Sequence, residues 1–157
     1  MSIIIRHMTD KDRGDVTTMI RRILGRHVER PSAPWEPSLL AIRDGKIVGH
    51  VSMVIRNSGN GNCPEIRNFV VDESARHTRV PLLLFTAIER EVAKAGFLTY
   101  RGVLDKTNPY FKRIADRWGG KLVHETDIDW IMEGNLLTTK GSRYSNVNDV
   151  KVPAQVS

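Results

Sequence analysis

The chain has a single cysteine, Cys63, among 157 residues. An intramolecular disulfide is thereby excluded, and a reducing cytoplasm is the expected location. Long hydrophobic runs are also missing. Stretches such as Ile3 to Ile5 and Pro81 to Phe85 fall far short of the ~20 residues that a spanning helix needs, so no membrane partner is expected. The start, MSIIIRHMTD, has neither a basic n-region nor a long apolar h-region, and no secretory signal is expected. Aromatic residues make up 6% of the chain. They do not interleave with the arginines of the first thirty residues as a base-stacking surface requires. Glycine is absent from the whole stretch VVDESARHTRVPLLLF, Val70 to Phe85. That absence matters most, because an apolar strand, a basic loop and a helix start follow one another there. Elements in that order commonly present main-chain N–H groups to a phosphate.

What is present fits one globular domain with a sizeable core: 40% hydrophobic and 27% charged residues. The net charge of +6 suits polyanions in general, whether a phosphate-rich cofactor, an acidic protein or nucleic acid. Nucleic acid ranks last, since charge alone speaks for it. Arg6, Arg13, Arg21, Arg22, Arg26 and Arg30 crowd the first thirty residues. His27, His50, His77 and His124 stand at no metal-ligand spacing and Cys63 is alone, so no metal site is expected. Ser, His and Asp occur in no nucleophile-elbow context.

Patterning places the elements. Ile3 to Ile5 reads as a strand. Thr9 or Asp10 then caps a helix with Val16, Met19, Ile20, Ile23 and Leu24 on one face, closed by Gly25. RHVERPSAPWEP, with three prolines, is a loop. Asp44-Gly45 joins two strands in LLAIRDGKIVGHVSMVIR. EIRNFVV is a further strand, and the helix after it carries Leu84, Phe85, Ile88 and Val92 on one face and ends at Gly96. LTYRGVL is a strand. Asn108-Pro109 opens a helix with Phe111, Ile114, Ala115 and Trp118 at helical spacing, stopped by Gly119-Gly120. KLVHE and DIDWIME close a domain at residues 1–134, and 135–157 are expected to form an extension, mobile or docked on a partner. The order is β-α-loop-β-β-β-α-β-α-β-β.

With these residues the chain resembles the GNAT family of N-acetyltransferases. DGKIVGHVSM is similar to the family's second-to-third strand hairpin, including Gly49. EIRNFVVDESARHTRVPLLLF is similar to its fourth strand, phosphate loop and following helix. DKTNPYFKRIADRWGGKLVHE is similar to its fifth-strand end, next helix and Gly-aromatic turn. The resemblance implies an α/β fold: a mixed, mostly antiparallel sheet of six to seven strands flanked by three to four helices. It also implies acetyl-CoA as cofactor and an amine, small-molecule or protein, as acceptor.

In that family the loop reads Gln/Arg-x-x-Gly-x-Gly/Ala and holds the cofactor's diphosphate by main-chain N–H groups. Arg76 matches the first position, while Arg79 and Pro81 stand where the glycines belong. A side chain at Arg79 crowds the approach, and Pro81 removes a donor while suiting a helix start. Arg76, His77 and Arg79 offer compensating side-chain contacts. By the same resemblance Phe69, Val70 and Val71 line the pantetheine arm, Asn108 contacts the cofactor or merely caps its helix, and Glu65 is the general base. The family's Tyr general acid aligns with Ala115, and Tyr110 lies more than a turn away. Trp35 and Trp130 are candidates for an acceptor groove, and Trp118 for the core. Two readings stay open: an acetyl-CoA-dependent N-acyltransferase, or a non-catalytic GNAT-fold part of an assembly, such as the eroded GNAT-like proteins of bacteriophage virions. A second copy of the chain is a candidate partner, since the last strand carries Trp130.

Overall fold

The computed structural model describes residues 2–25, 36–57 and 61–139. Most of the expected proline-rich loop, Trp35 included, and most of the expected C-terminal extension lie outside these residues.

Alternating and helical hydrophobic periods become seven strands and three α-helices: β1 (Ile3–His7), α1 (Arg13–Leu24), β2 (Ser38–Arg43), β3 (Lys46–Asn57), β4 (Asn62–Val71), α2 (Val80–Lys94), β5 (Thr99–Asp105), α3 (Pro109–Trp118), β6 (Lys121–Glu125) and β7 (Asp129–Asn135). The strands form one sheet in the order β1-β2-β3-β4-β5-β7-β6. Neighbours are antiparallel except β4 and β5, which run parallel. This is the expected mixed, mostly antiparallel architecture.

Local chemistry sets the boundaries. Ahead of α1, the N–H and hydroxyl of Thr9 both donate to Asp12 Oδ2, at 2.8 and 2.9 Å. Arg6 clamps the same carboxylate with two bonds, which hold it well below the usual carboxylate range. Gly25 ends α1 in the left-handed region at φ 65. Asp44 and Gly45 both take positive φ, as the tight β2–β3 hairpin requires.

The sheet buries both faces. On one side α1 packs Val16, Met19 and Ile20 against Leu40 and Val70. On the other, α2 buries Leu84, Phe85, Ile88 and Val92 with α3's Phe111 and Trp118 over Met53, Ile66 and Val71. Gly49 lets α2 come this close: a Cβ there would stand 2.7 Å from Leu84 Cδ1 and 3.3 Å from the Val70 carbonyl.

The expected domain end at Gly134 falls within β7. Asn135 still pairs with Thr99, Leu136 joins the core, and the Thr139 hydroxyl donates to the buried Glu89 carboxylate at 2.8 Å. Tyr100 donates to the same carboxylate at 2.6 Å.

Candidate active site

β4 and β5 are joined at two register positions, Glu65↔Arg101 and Ile66↔Gly102. Beyond Ile66 they part. The cause lies in β4. Its pairing with β3 slips by one residue between Val70 and Arg67, against His50 and Ser52, and Asn68 inside the slip has φ 48. This is a β-bulge, which bends the strand that carries it. The wedge between the parted strands is a cleft of about 230 Å³. Ile66, Phe69, Phe85, Phe111, Ala115 and Trp118 supply much of its apolar wall, and Glu65, Arg67, Asp105, Asp129 and Glu133 its polar one. The aromatic wall is rigid: Phe69 packs on Phe85 at 4.7 Å between centroids and Phe85 stacks on Trp118 at 5.3 Å.

The loop 72–79 follows the free end of β4. Asp72 organises it by accepting from the Ser74 N–H and hydroxyl and from Arg22. Thr78 accepts from the Val80 N–H at the start of α2. Among the described residues, the N–H groups of His77, Arg79 and Leu82 donate to nothing within the protein. Arg79 has φ −78 and ψ −1, an ordinary right-handed conformation that needs no glycine. Its side chain and that of His77 point to solvent. Arg76 turns inward instead. Its Nε donates to the Val71 carbonyl at 3.1 Å, its guanidinium lies 4.7 Å over the Tyr110 ring, and Tyr110 Oη donates back to the Arg76 carbonyl.

The model of the acetyltransferase (GNAT) family matches residues 10–111, well over half the chain. The chain belongs to this family. A search of curated proteins finds no match. Among solved structures, PaiA N-acetyltransferase from Thermoplasma acidophilum, in complex with coenzyme A, superposes with a TM-score of 0.70 at 18% identity, over 86% of this chain and 99% of that one. A GNAT acetyltransferase from Streptococcus pneumoniae gives 0.66 at 17% identity, covering 85% and 99%. Arabidopsis thaliana Naa50 with the bisubstrate analogue CoA-Ac-MVNAL gives 0.66 at 10% identity, covering 86% and 99%. At these identities the likeness is one of fold.

Within this GNAT fold the expected site residues divide. Glu65 and Phe69 line the cleft. Val70 turns its side chain into the α1 core, and Val71 into the α2 core. Arg76, His77 and Arg79 stand at the α2 end of β4. Asn108 precedes α3 as its N-cap residue, with its carbonyl accepting from Phe111 and its amide on the Thr107 hydroxyl. Trp130 is not part of the cleft wall; its ring lies under the ammonium groups of Lys112 and Lys106, at 5.5 and 6.0 Å.

Glu65 does not sit in an apolar wall. Arg67 Nε lies 2.8 Å from one carboxylate oxygen and Arg56 Nε 3.1 Å from the other. Each oxygen keeps a lone pair for a further donor. Ala115, expected at the place of the family's Tyr, lines the cleft and has no proton to give. Tyr100 borders the cleft too, but its hydroxyl is committed to Glu89, and burial beside that carboxylate pushes its pKa well up. Burial also raises Tyr110. Sequence reasoning missed Arg67, Asp105, Asp129 and Glu133 in the polar wall, and the bulge at Asn68. A lone Asn in the strand EIRNFVV, where Asn is disfavoured, is the signal that marks the bulge.

Proposed function

We propose that this protein is an acetyl-CoA-dependent N-acyltransferase acting on an amine, either a small molecule or a protein amino group. The observation that carries the reading is the open wedge between β4 and β5, at the end of which β4 leads into a loop and helix start with unused main-chain donors. The residues fit the cofactor. The free N–H groups of His77, Arg79 and Leu82, the α2 dipole and the exposed Arg79 guanidinium make a cationic seat for a diphosphate. Pro81 removes one donor at the second helical position and leaves Leu82 free. Phe69 and Val71 present main-chain groups along the parted edge of β4.

When bound, acetyl-CoA supplies the acyl group as an activated thioester. Glu65, held by Arg56 and Arg67, is an anion on the cleft wall that draws an ammonium acceptor in and takes its proton, directly or through a water. The apolar wall of Phe85, Phe111 and Trp118 excludes bulk water from the acyl end. Asp105, Asp129 and Glu133 add negative charge on the acceptor side of the wall.

The alternative, a non-catalytic GNAT-fold component of a virion or other assembly, calls for a gap filled by the protein's own side chains. The open cleft favours the enzyme.

Melting the protein with and without acetyl-CoA tests the reading. At 100 times its dissociation constant a ligand adds about 2.7 kcal/mol, which for this size raises the melting temperature by roughly 5–10 °C. No rise removes the proposal. Given a rise, Glu65→Gln keeps it and slows transfer to an amine panel by about 100-fold or more; unchanged turnover dismisses Glu65 as the base.

A further inference from the structure

His50 is enclosed beneath the bend of β4, and nothing in the acyl-transfer reading uses it. Its Nδ1 lies 2.8 Å from the Asn68 carbonyl oxygen and its Nε2 2.7 Å from Ser38 Oγ. A carbonyl can only accept, so Nδ1 carries the ring proton and Nε2 accepts from the Ser38 hydroxyl. Asn68 is the residue whose positive φ forms the bulge. The slip takes its carbonyl out of the β3 ladder, and a buried carbonyl left without a donor is costly. His50 is that donor.

The bond has a consequence on the other side of the strand. The Asn68 carbonyl and the Phe69 N–H belong to one peptide unit, planar and trans, in which the two groups point in opposite directions. No cis peptide occurs among the described residues. Holding the carbonyl on the His50 ring therefore turns the Phe69 N–H away from that ring. Strand alternation agrees. The Asp72 N–H donates to Val48 of β3, which turns the N–H groups of Val71 and Phe69 toward the cleft. A main-chain donor fixed at the wall of the cleft suits an oxygen that gains charge during acyl transfer.

Resting on the acyltransferase reading, we infer that His50 is a positioning residue: through the Asn68 carbonyl it aims the Phe69 N–H at the acyl oxygen of the thioester. The protonated Nδ1 is the working atom, and the ring itself is not. Asn and Gln separate the two. An Asn amide nitrogen reproduces Nδ1, whereas a Gln amide reproduces Nε2, reaching Ser38 but not Asn68.

The experiment is the infrared carbonyl stretch of [1-¹³C]acetyl-CoA bound to the wild type, His50→Asn and His50→Gln, alongside the dissociation constant of coenzyme A for each. The wild type and His50→Asn are expected to lower the stretch relative to free acetyl-CoA, and His50→Gln to lose that shift with coenzyme A affinity unchanged. Equal shifts in all three, loss in both variants, or no shift in a wild type that binds would each overturn the inference. A wild type that binds no acetyl-CoA removes the acyltransferase reading instead. Should His50→Gln fail to fold, amide hydrogen exchange of the wild type decides: acetyl-CoA slows exchange at Phe69 beyond what coenzyme A alone achieves, and equal protection by the two overturns the inference.

Discussion

Lowering the pH from about 7.5 to about 4.5 protonates His50 in the unfolded chain while the folded chain resists it. Burial, opposed only in part by the Asn68 carbonyl, pushes the imidazole down from its ordinary 6.5 to about 4. Between those values the unfolded state binds more protons. The stabilisation is thus complete above about pH 6.5 and is lost as the pH falls toward 4. A difference of about 2.5 pKa units at 1.36 kcal/mol each is worth about 3 kcal/mol, undiminished by screening because the ring is enclosed. Other groups titrate nearby and must be subtracted. Burial raises Glu89, whose contribution runs the opposite way, lost as pH rises above its ordinary value. Asp72, lowered by its Ser74 hydrogen bond, stabilises the fold throughout this range and loses that contribution only at lower pH. Comparison with His50→Asn cancels both. Urea unfolding followed by circular dichroism, from about pH 7.5 to 4.5, should show the wild type losing about 2–3 kcal/mol more than the variant, or about 1–2 M in midpoint. Parallel losses would refute the buried, neutral histidine.

Two further substitutions probe the packing and the loop. A Cβ on Gly134 would stand 2.3 Å from Cζ of the Tyr100 ring, so Gly134→Ala should cost about 1–3 kcal/mol in urea unfolding; an equal cost in a Tyr100→Leu background would refute the clash, since contacting residues do not add. Arg79→Ala should weaken coenzyme A binding about tenfold by calorimetry, and Arg76→Ala should lower the melting temperature by losing its bond to Val71 and its stacking on Tyr110. If Arg79→Ala binds as tightly as the wild type, its guanidinium takes no part in holding the diphosphate.

The fold was legible where one local rule governed each element. The apolar stripe of α1, the Asp44-Gly45 hairpin and the Pro109 start of α3 stand where period and turn chemistry put them, because burial and backbone preference agree there. Packing runs on past Gly134 for a physical reason. Leu136 and Thr139 are too few to show a period, yet one joins the core and the other satisfies a buried carboxylate on α2. The site was legible only in outline. Glu65 and Phe69 reach the cleft, but the partners of Glu65, Arg56 and Arg67, come from register across β3 and β4, which a linear reading does not supply. His50 shows the same limit. Spacing along the chain speaks only to metal ligation, whereas its partners are the Ser38 hydroxyl twelve residues before it and the Asn68 carbonyl eighteen residues after it.

Under the proposed function, the missing glycines change how the loop would hold a diphosphate. Glycine at a phosphate loop serves two ends, an unusual φ and a bare surface for close approach. The first is not needed here, since Arg79 is right-handed. Only the second is lost at that position, and the side chain that replaces bare main chain is itself a phosphate partner. Pro81 deletes one N–H of a helix start whose first N–H is already taken by Thr78 and whose third remains free. Arg76, the residue that does match the family pattern, is the one that turns away from solvent to tie β4 to α3. Under the proposed function, Arg79 and His77 are therefore the exposed cations offered to a diphosphate, while Arg76 ties the end of β4 to α3.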